Sequence, residues 1–136
     1  MRTAGARIAV RRPGGAEVAA GVAVARDPWR RFRGLMGRRE LPDGDGLLLD
    51  PCNGIHMLFM HLPLDVVFLS RERRVVRLVA GIRPWRGVVW FVPGARSALE
   101  LPVGTIARSG LTVGETLELA PVPPAQPAPL ATALPR

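Results

Sequence analysis

Short apolar segments alternating with glycine- and proline-rich turns constrain this chain more than any other feature. A helix of ordinary length needs a sustained 3.6-residue apolar period, and turn signals interrupt nearly every such stretch here. Arg7–Val10 and Ala16–Val24 read as strands around the turn Pro13-Gly-Gly15, and Gly46–Asp50 as a short buried strand stopped by Pro51-Cys-Asn-Gly54. Ile55–His61 and Leu64–Ser70 follow on either side of Pro63; Arg74–Ala80 returns after the polar turn Arg71-Glu-Arg73. Leu64–Leu69 and Val75–Val79 are apolar on both faces, which places that hairpin in the middle of the fold. Val88–Val92, Ala98–Leu101 and Thr116–Leu119 complete the strands. The short connections imply that most neighbours are antiparallel.

One early helix carries its own punctuation. Asp27 is a good N-cap, Pro28 suits the first helical position, and Gly37 suits the left-handed C-terminal position. Trp29, Phe32 and Met36, with Leu35 beside them, form a stripe expected to lie on the core, with Arg30, Arg31 and Arg33 facing away. A second turn or two of helix is expected within Val103–Ser109, ending at Gly110. The expected fold is mainly β: a compact β-barrel or sandwich of about eight short strands with one or two short helices. Residues 1–120 form this single domain, and residues 121–136, rich in proline and alanine, read as a disordered tail.

The 136 residues hold 19 arginines and no lysine, for a net charge of +8. Uniform use of arginine in place of lysine explains this without a nucleic-acid partner. The charge is also blocked: +8 over residues 1–39, −5 over 40–70 and +6 over 71–96. Such blocks can neutralise one another after folding, which ranks nucleic acid low among partners. No apolar run is long enough for a membrane span, and the N-terminal residues lack the apolar stretch of a signal peptide. With a single cysteine, Cys52, the chain fits a reducing compartment, and a cytoplasmic location is expected.

Several motifs in order carry a family resemblance. Arg33-Gly-Leu-Met-Gly37 is followed by a short apolar strand, Ile55-His-Met57, Pro63-Leu-Asp-Val-Val-Phe-Leu69, and Leu99-Glu-Leu-Pro-Val-Gly104 with Gly110 and Gly114-Glu115. Over roughly residues 18–119 this resembles the bacterial and archaeal family called domain of unknown function 192. The resemblance implies a small β-rich domain and no particular reaction. Many members have an aromatic-Trp-Met-Lys-Asn-Thr block where this chain has Ile55-His-Met-Leu-Phe-Met60, so a polar site built on that block is altered or absent here.

Two carboxylates, Asp65 and Glu100, each lie within an apolar strand, and a buried carboxylate needs a partner or its pKa rises. Arg33 and His56 are candidate partners. The pair could serve as a general acid and base in a pocket, or as a buried network that fixes register and satisfies loop amides. The second reading is favoured. Cys52, His56 and His61 are weak candidates for a metal, because alternation along a strand points the two histidines to opposite sides. Cys52 with His56 could form a nucleophile and base, but nothing supplies an orienting residue. Asp43-Gly-Asp-Gly46 lacks the length and terminal glutamate of a calcium loop. Trp85, between Arg83 and Arg86, could stack on a base or anchor its loop.

The leading expectation is a non-catalytic accessory module that binds an unknown protein or small ligand, without a cofactor. Arg33, His56, Asp65, Glu100 and Trp85 are its candidate ligand-binding residues. The alternatives are a hydrolytic or metal-dependent enzyme using Asp65, Glu100 and His56, and an arginine-rich nucleic-acid binder.

Overall fold

The structure is a computed structural model and describes residues 7–123. Its strands are β1 (Arg7–Arg11), β2 (Glu17–Ala25), β3 (Asp45–Leu49), β4 (Ile55–His56), β5 (Leu64–Leu69), β6 (Val75–Ile82), β7 (Val88–Val89), β8 (Ser97–Pro102) and β9 (Glu118–Pro121). The helices are α1 (Pro28–Arg33) and α2 (Thr105–Ser109). Seven strands make one sheet in the order β6-β5-β8-β3-β2-β1-β9, and β4 and β7 form a separate two-stranded ribbon. The fold is mainly β, as the turn spacing implies, but the large sheet is not closed into a barrel. At one end its edges come near each other: Thr116 bridges Arg74, and the Leu117 amide donates to the Arg73 carbonyl at 2.9 Å.

One pairing departs from the antiparallel expectation. β2 and β3 run parallel, because the chain between them is long enough to cross over through α1 and return in the same direction. Only half of the hairpin expected in the middle lies inside the sheet: β5 sits between β6 and β8, and every residue of β5 and β8 is buried, whereas β6 is an edge strand with only Val75 and Ile82 buried. Alternation divides the side chains of β5 and β8 between two cores. Leu64, Val66, Phe68 and Ala98 join one cluster with Leu47 and Leu49. Val67, Leu69, Leu99 and Leu101 join the other with Val10, Val22 and Leu48.

The first cluster is covered by α1, the segment after it and the β4–β7 ribbon, which contribute Leu35, Ile55, Met57 and Val89. Asp27 caps α1, its Oδ1 accepting from the Arg30 amide at 2.8 Å, and Pro28 opens it. The helix ends early, however. Gly34, not Gly37, follows its last residue, with φ +49° and its amide donating to the Arg30 carbonyl at 2.8 Å. This break removes Leu35 and Met36 from the helical period, so the expected stripe does not form. Leu35 packs into the core, whereas Trp29 and Phe32 stand 65% and 55% exposed. A similar shortening affects Ile55–His61: the strand stops at His56, and Phe59 adopts φ +65° in a turn. At the C-terminal end β9 includes Pro121, one residue beyond the expected boundary, and the rest of the tail from residue 124 lies outside the described residues. Among the described residues no helix is long and apolar enough to cross a membrane.

Candidate functional site

The centre of the sheet carries a carboxylate without a partner. In register, Glu100 on β8 lies between Val66 on β5 and Leu47 on β3, so its side chain emerges from an apolar row on the α1 side. It is 5% exposed, and its Oε1 is buried with no hydrogen-bond partner among the described residues. Burial pushes its pKa up to about 7. Gly34 lies directly above: a Cβ built there would stand 3.6 Å from Glu100 Oε1. The motifs Arg33-Gly-Leu-Met-Gly37 and Leu99-Glu-Leu-Pro-Val-Gly104 therefore meet at this carboxyl.

Glu100 borders a cavity of about 340 Å³ between α1 and the Leu49–His56 segment. Leu35, Leu49, Ile55 and Met60 supply apolar wall; Phe32, Arg31 and His56 stand nearer solvent. Arg31 is tied by its guanidinium to the carbonyls of Arg26 and Pro51, each at 3.2 Å. Arg33 lines this cavity and a neighbouring one of about 310 Å³ that also holds Arg7, Arg30 and Arg38. His56 Nδ1 accepts from the Leu58 amide at 3.3 Å, and its ring lies 5.8 Å from that of Phe32. Cys52 Sγ donates to the Gly54 carbonyl at 3.0 Å, and desolvation by burial raises its pKa, with Glu100 adding to the rise. It is a thiol here, not an activated thiolate.

Asp65 has a different role. It pairs in register with Leu101, one step from Glu100, and so faces the opposite side of the sheet. Its Oδ1 accepts from the Gly81 amide at 2.9 Å, and Oδ2 from the amides of Gly104 and Ile106 at 3.0 and 2.9 Å. The fold thus separates the two carboxylates, and neither Arg33 nor His56 is a hydrogen-bond partner of Asp65. His61 does not join Cys52 and His56; it packs edge-on against Trp85 at 6.0 Å, and Phe59 meets the same indole at 5.3 Å. Trp85 is 47% exposed, with its amide donating to the Met57 carbonyl. Among the described residues no three His, Cys, Asp or Glu side chains converge as metal ligands. Sequence reasoning did not single out Gly34 or the wall residues of the cavity; the glycine after Arg33 in the first family motif was the available signal.

Comparison with known proteins bears on the family and the fold. The family model for domain of unknown function 192, described as "Uncharacterized ACR", matches residues 9–119. A UPF0127 protein of Thermococcus sibiricus is 35% identical over 103 residues, covering 71% of this chain and 64% of that protein. This chain thus spans slightly under two thirds of that relative's length. A UPF0127 protein of Pyrococcus furiosus is 34% identical over 96 residues, 65% of this chain and 78% of that one. Among solved structures, a protein of unknown function from Novosphingobium aromaticivorans aligns with TM-score 0.73 at 26% identity, covering 82% of this chain and 83% of that one. A putative transcription regulator from Sinorhizobium meliloti aligns with TM-score 0.71 at 27% identity, over 88% and 96% of the two chains.

Proposed function

We propose that this chain, which belongs to the domain of unknown function 192 family, is a non-catalytic binding module whose small ligand enters the cavity beside Glu100. The observation that carries the reading is the buried Glu100 Oε1 without a donor. An unmet acceptor in an apolar site costs about 1–3 kcal/mol, and a ligand N–H or O–H would recover it. The cavity's volume falls at the small end of ligand sites, and its apolar walls with few polar groups suit that use. The ligand class is therefore a small amine, amide or polyol with an apolar face toward Leu35 and Ile55. Arg31 and Arg33 at the rim favour a ligand that also bears an anionic group.

The hydrolytic alternative draws support from one feature: a carboxyl with a pKa near neutrality can act as a general acid. Glu100 would have to act with His56 alone, since Asp65 is turned away and committed to backbone amides. Binding without catalysis is the reading that needs fewer groups. A cytoplasmic site of action, with Cys52 kept as a free thiol, belongs to the same reading.

A thermal-shift panel of small amines, amides, amino acids and polyols tests it, run on the wild type and on Glu100→Leu. A ligand near a hundred times its Kd adds about 2.7 kcal/mol, which raises Tm by several degrees. The expected result is one chemical class that shifts the wild type and leaves Glu100→Leu unmoved. A panel that shifts neither protein, or both alike, would sink the proposal.

A further inference from the structure

We infer that the outer surface of the layer formed by α1 and the β4–β7 ribbon is a stacking platform for single-stranded nucleic acid. The chain has three tryptophans, four phenylalanines and no tyrosine. Only Phe68 is in the core. Trp29, Phe32, Phe59, Trp85, Trp90 and Phe91 are all between 47% and 81% exposed. Large apolar rings are normally the first side chains a small domain buries, so six left outside require an account.

Contacts gather four of these rings, with two histidines, into two groups beside the ribbon. In the ribbon His56 pairs with Val88, and the buried Ile55 with the buried Val89, so His56 and Val88 point outward. Trp90 and Phe91 follow directly after β7, and both are exposed. Phe32 meets His56 at 5.8 Å and Trp29 at 6.1 Å, which extends the row onto α1. At the other end of the ribbon Phe59, Trp85 and His61 form a second group.

The charge around the rings has one sign. Residues 26–39 carry six arginines, with Asp27 the sole acidic residue of that segment and paired to Arg30 at 3.4 Å. Residues 83–91 add Arg83 and Arg86, and neither they nor residues 52–63 contain any Asp or Glu. Not every arginine lies on this face. Arg71 and Arg73 gather instead near Asp50 with Arg96, and Arg74 lies by Gly114.

Rings interspersed with guanidinium groups fit a chain that alternates flat bases with phosphates. A second copy of this protein would bring like charges together. A bilayer surface would have to accommodate His56 and His61 within the aromatic groups, whereas an imidazole beside a base is a stacking partner. Unpaired bases are required, because a duplex hides their faces. The inference does not depend on a ligand in the Glu100 cavity.

The test is titration of the whole chain with oligodeoxythymidylate, read by tryptophan fluorescence and by anisotropy of a labelled strand. The expected result is quenching of tryptophan emission, with affinity falling steeply as salt rises. Trp29→Ala and Trp90→Ala, whose folding is checked by circular dichroism, are each expected to weaken binding about tenfold. Equal binding of the two variants and the wild type would reduce the interaction to charge alone and overturn the inference. So would an absence of quenching in the wild type, equal affinity for a duplex, or sedimentation with phosphatidylserine vesicles in place of oligonucleotide binding.

Discussion

Asp65 accepts backbone amides from Gly81, Gly104 and Ile106, which tie the end of β6 and the start of α2 to the centre of the sheet. Each is a charge-assisted bond, the stronger kind. Asp65→Ala would leave three donors to find water in a site that is 1% exposed. Urea denaturation is expected to register a loss of about 3 kcal/mol or more, and a loss below about 1 kcal/mol would contradict a structural role. Both buried carboxylates were legible from the sequence, since each interrupts an apolar strand. Their separation was not, because it depends on the pairing of β5 with β8, whose partners lie 28 to 38 residues apart. A shift of one residue in that register would exchange the faces.

At the scale of elements, α1 buries no side chain of its own; Leu35, after the break at Gly34, makes the core contact. The positive φ of Gly34 sets where the helix stops and lets the backbone pass over Glu100. Gly34→Ala is expected to destabilise the protein by about 1–2 kcal/mol through backbone strain, measured by thermal or urea unfolding. An unchanged midpoint would mean that this turn tolerates a side chain and does not fix the roof of the cavity. The caps at Asp27 and Pro28 were readable because they are local chemistry. The exposure of Trp29 and Phe32 was not: helical spacing identifies a shared face, but only the tertiary fold decides whether that face is covered. The long strand expected at Ile55–His61 failed for a related reason, as apolar residues at Met57 and Met60 fit a buried turn as well as a strand.

The whole molecule combines an open mixed sheet with a cover that closes incompletely over Glu100. If that carboxyl is buried and unpartnered in the free protein, global stability must depend on pH in a specific direction. The native state holds the proton with a pKa of about 7, against an ordinary value of 4.5 when unfolded. Between these values the native state binds more protons than the unfolded state, so stability falls as pH rises. The contribution is fully present below about 4.5 and lost as pH passes through 7, a change of about 3 kcal/mol. The buried thiol of Cys52 titrates above this window, since its pKa is raised from 9.0. Glu115 titrates below it, held down by Arg12 at 2.8 Å. The decisive measurement is the unfolding free energy of the wild type and Glu100→Gln at about pH 5 and about pH 8. The account predicts that the wild type loses about 3 kcal/mol more than Glu100→Gln between the two; equal pH dependence in the two proteins would contradict it.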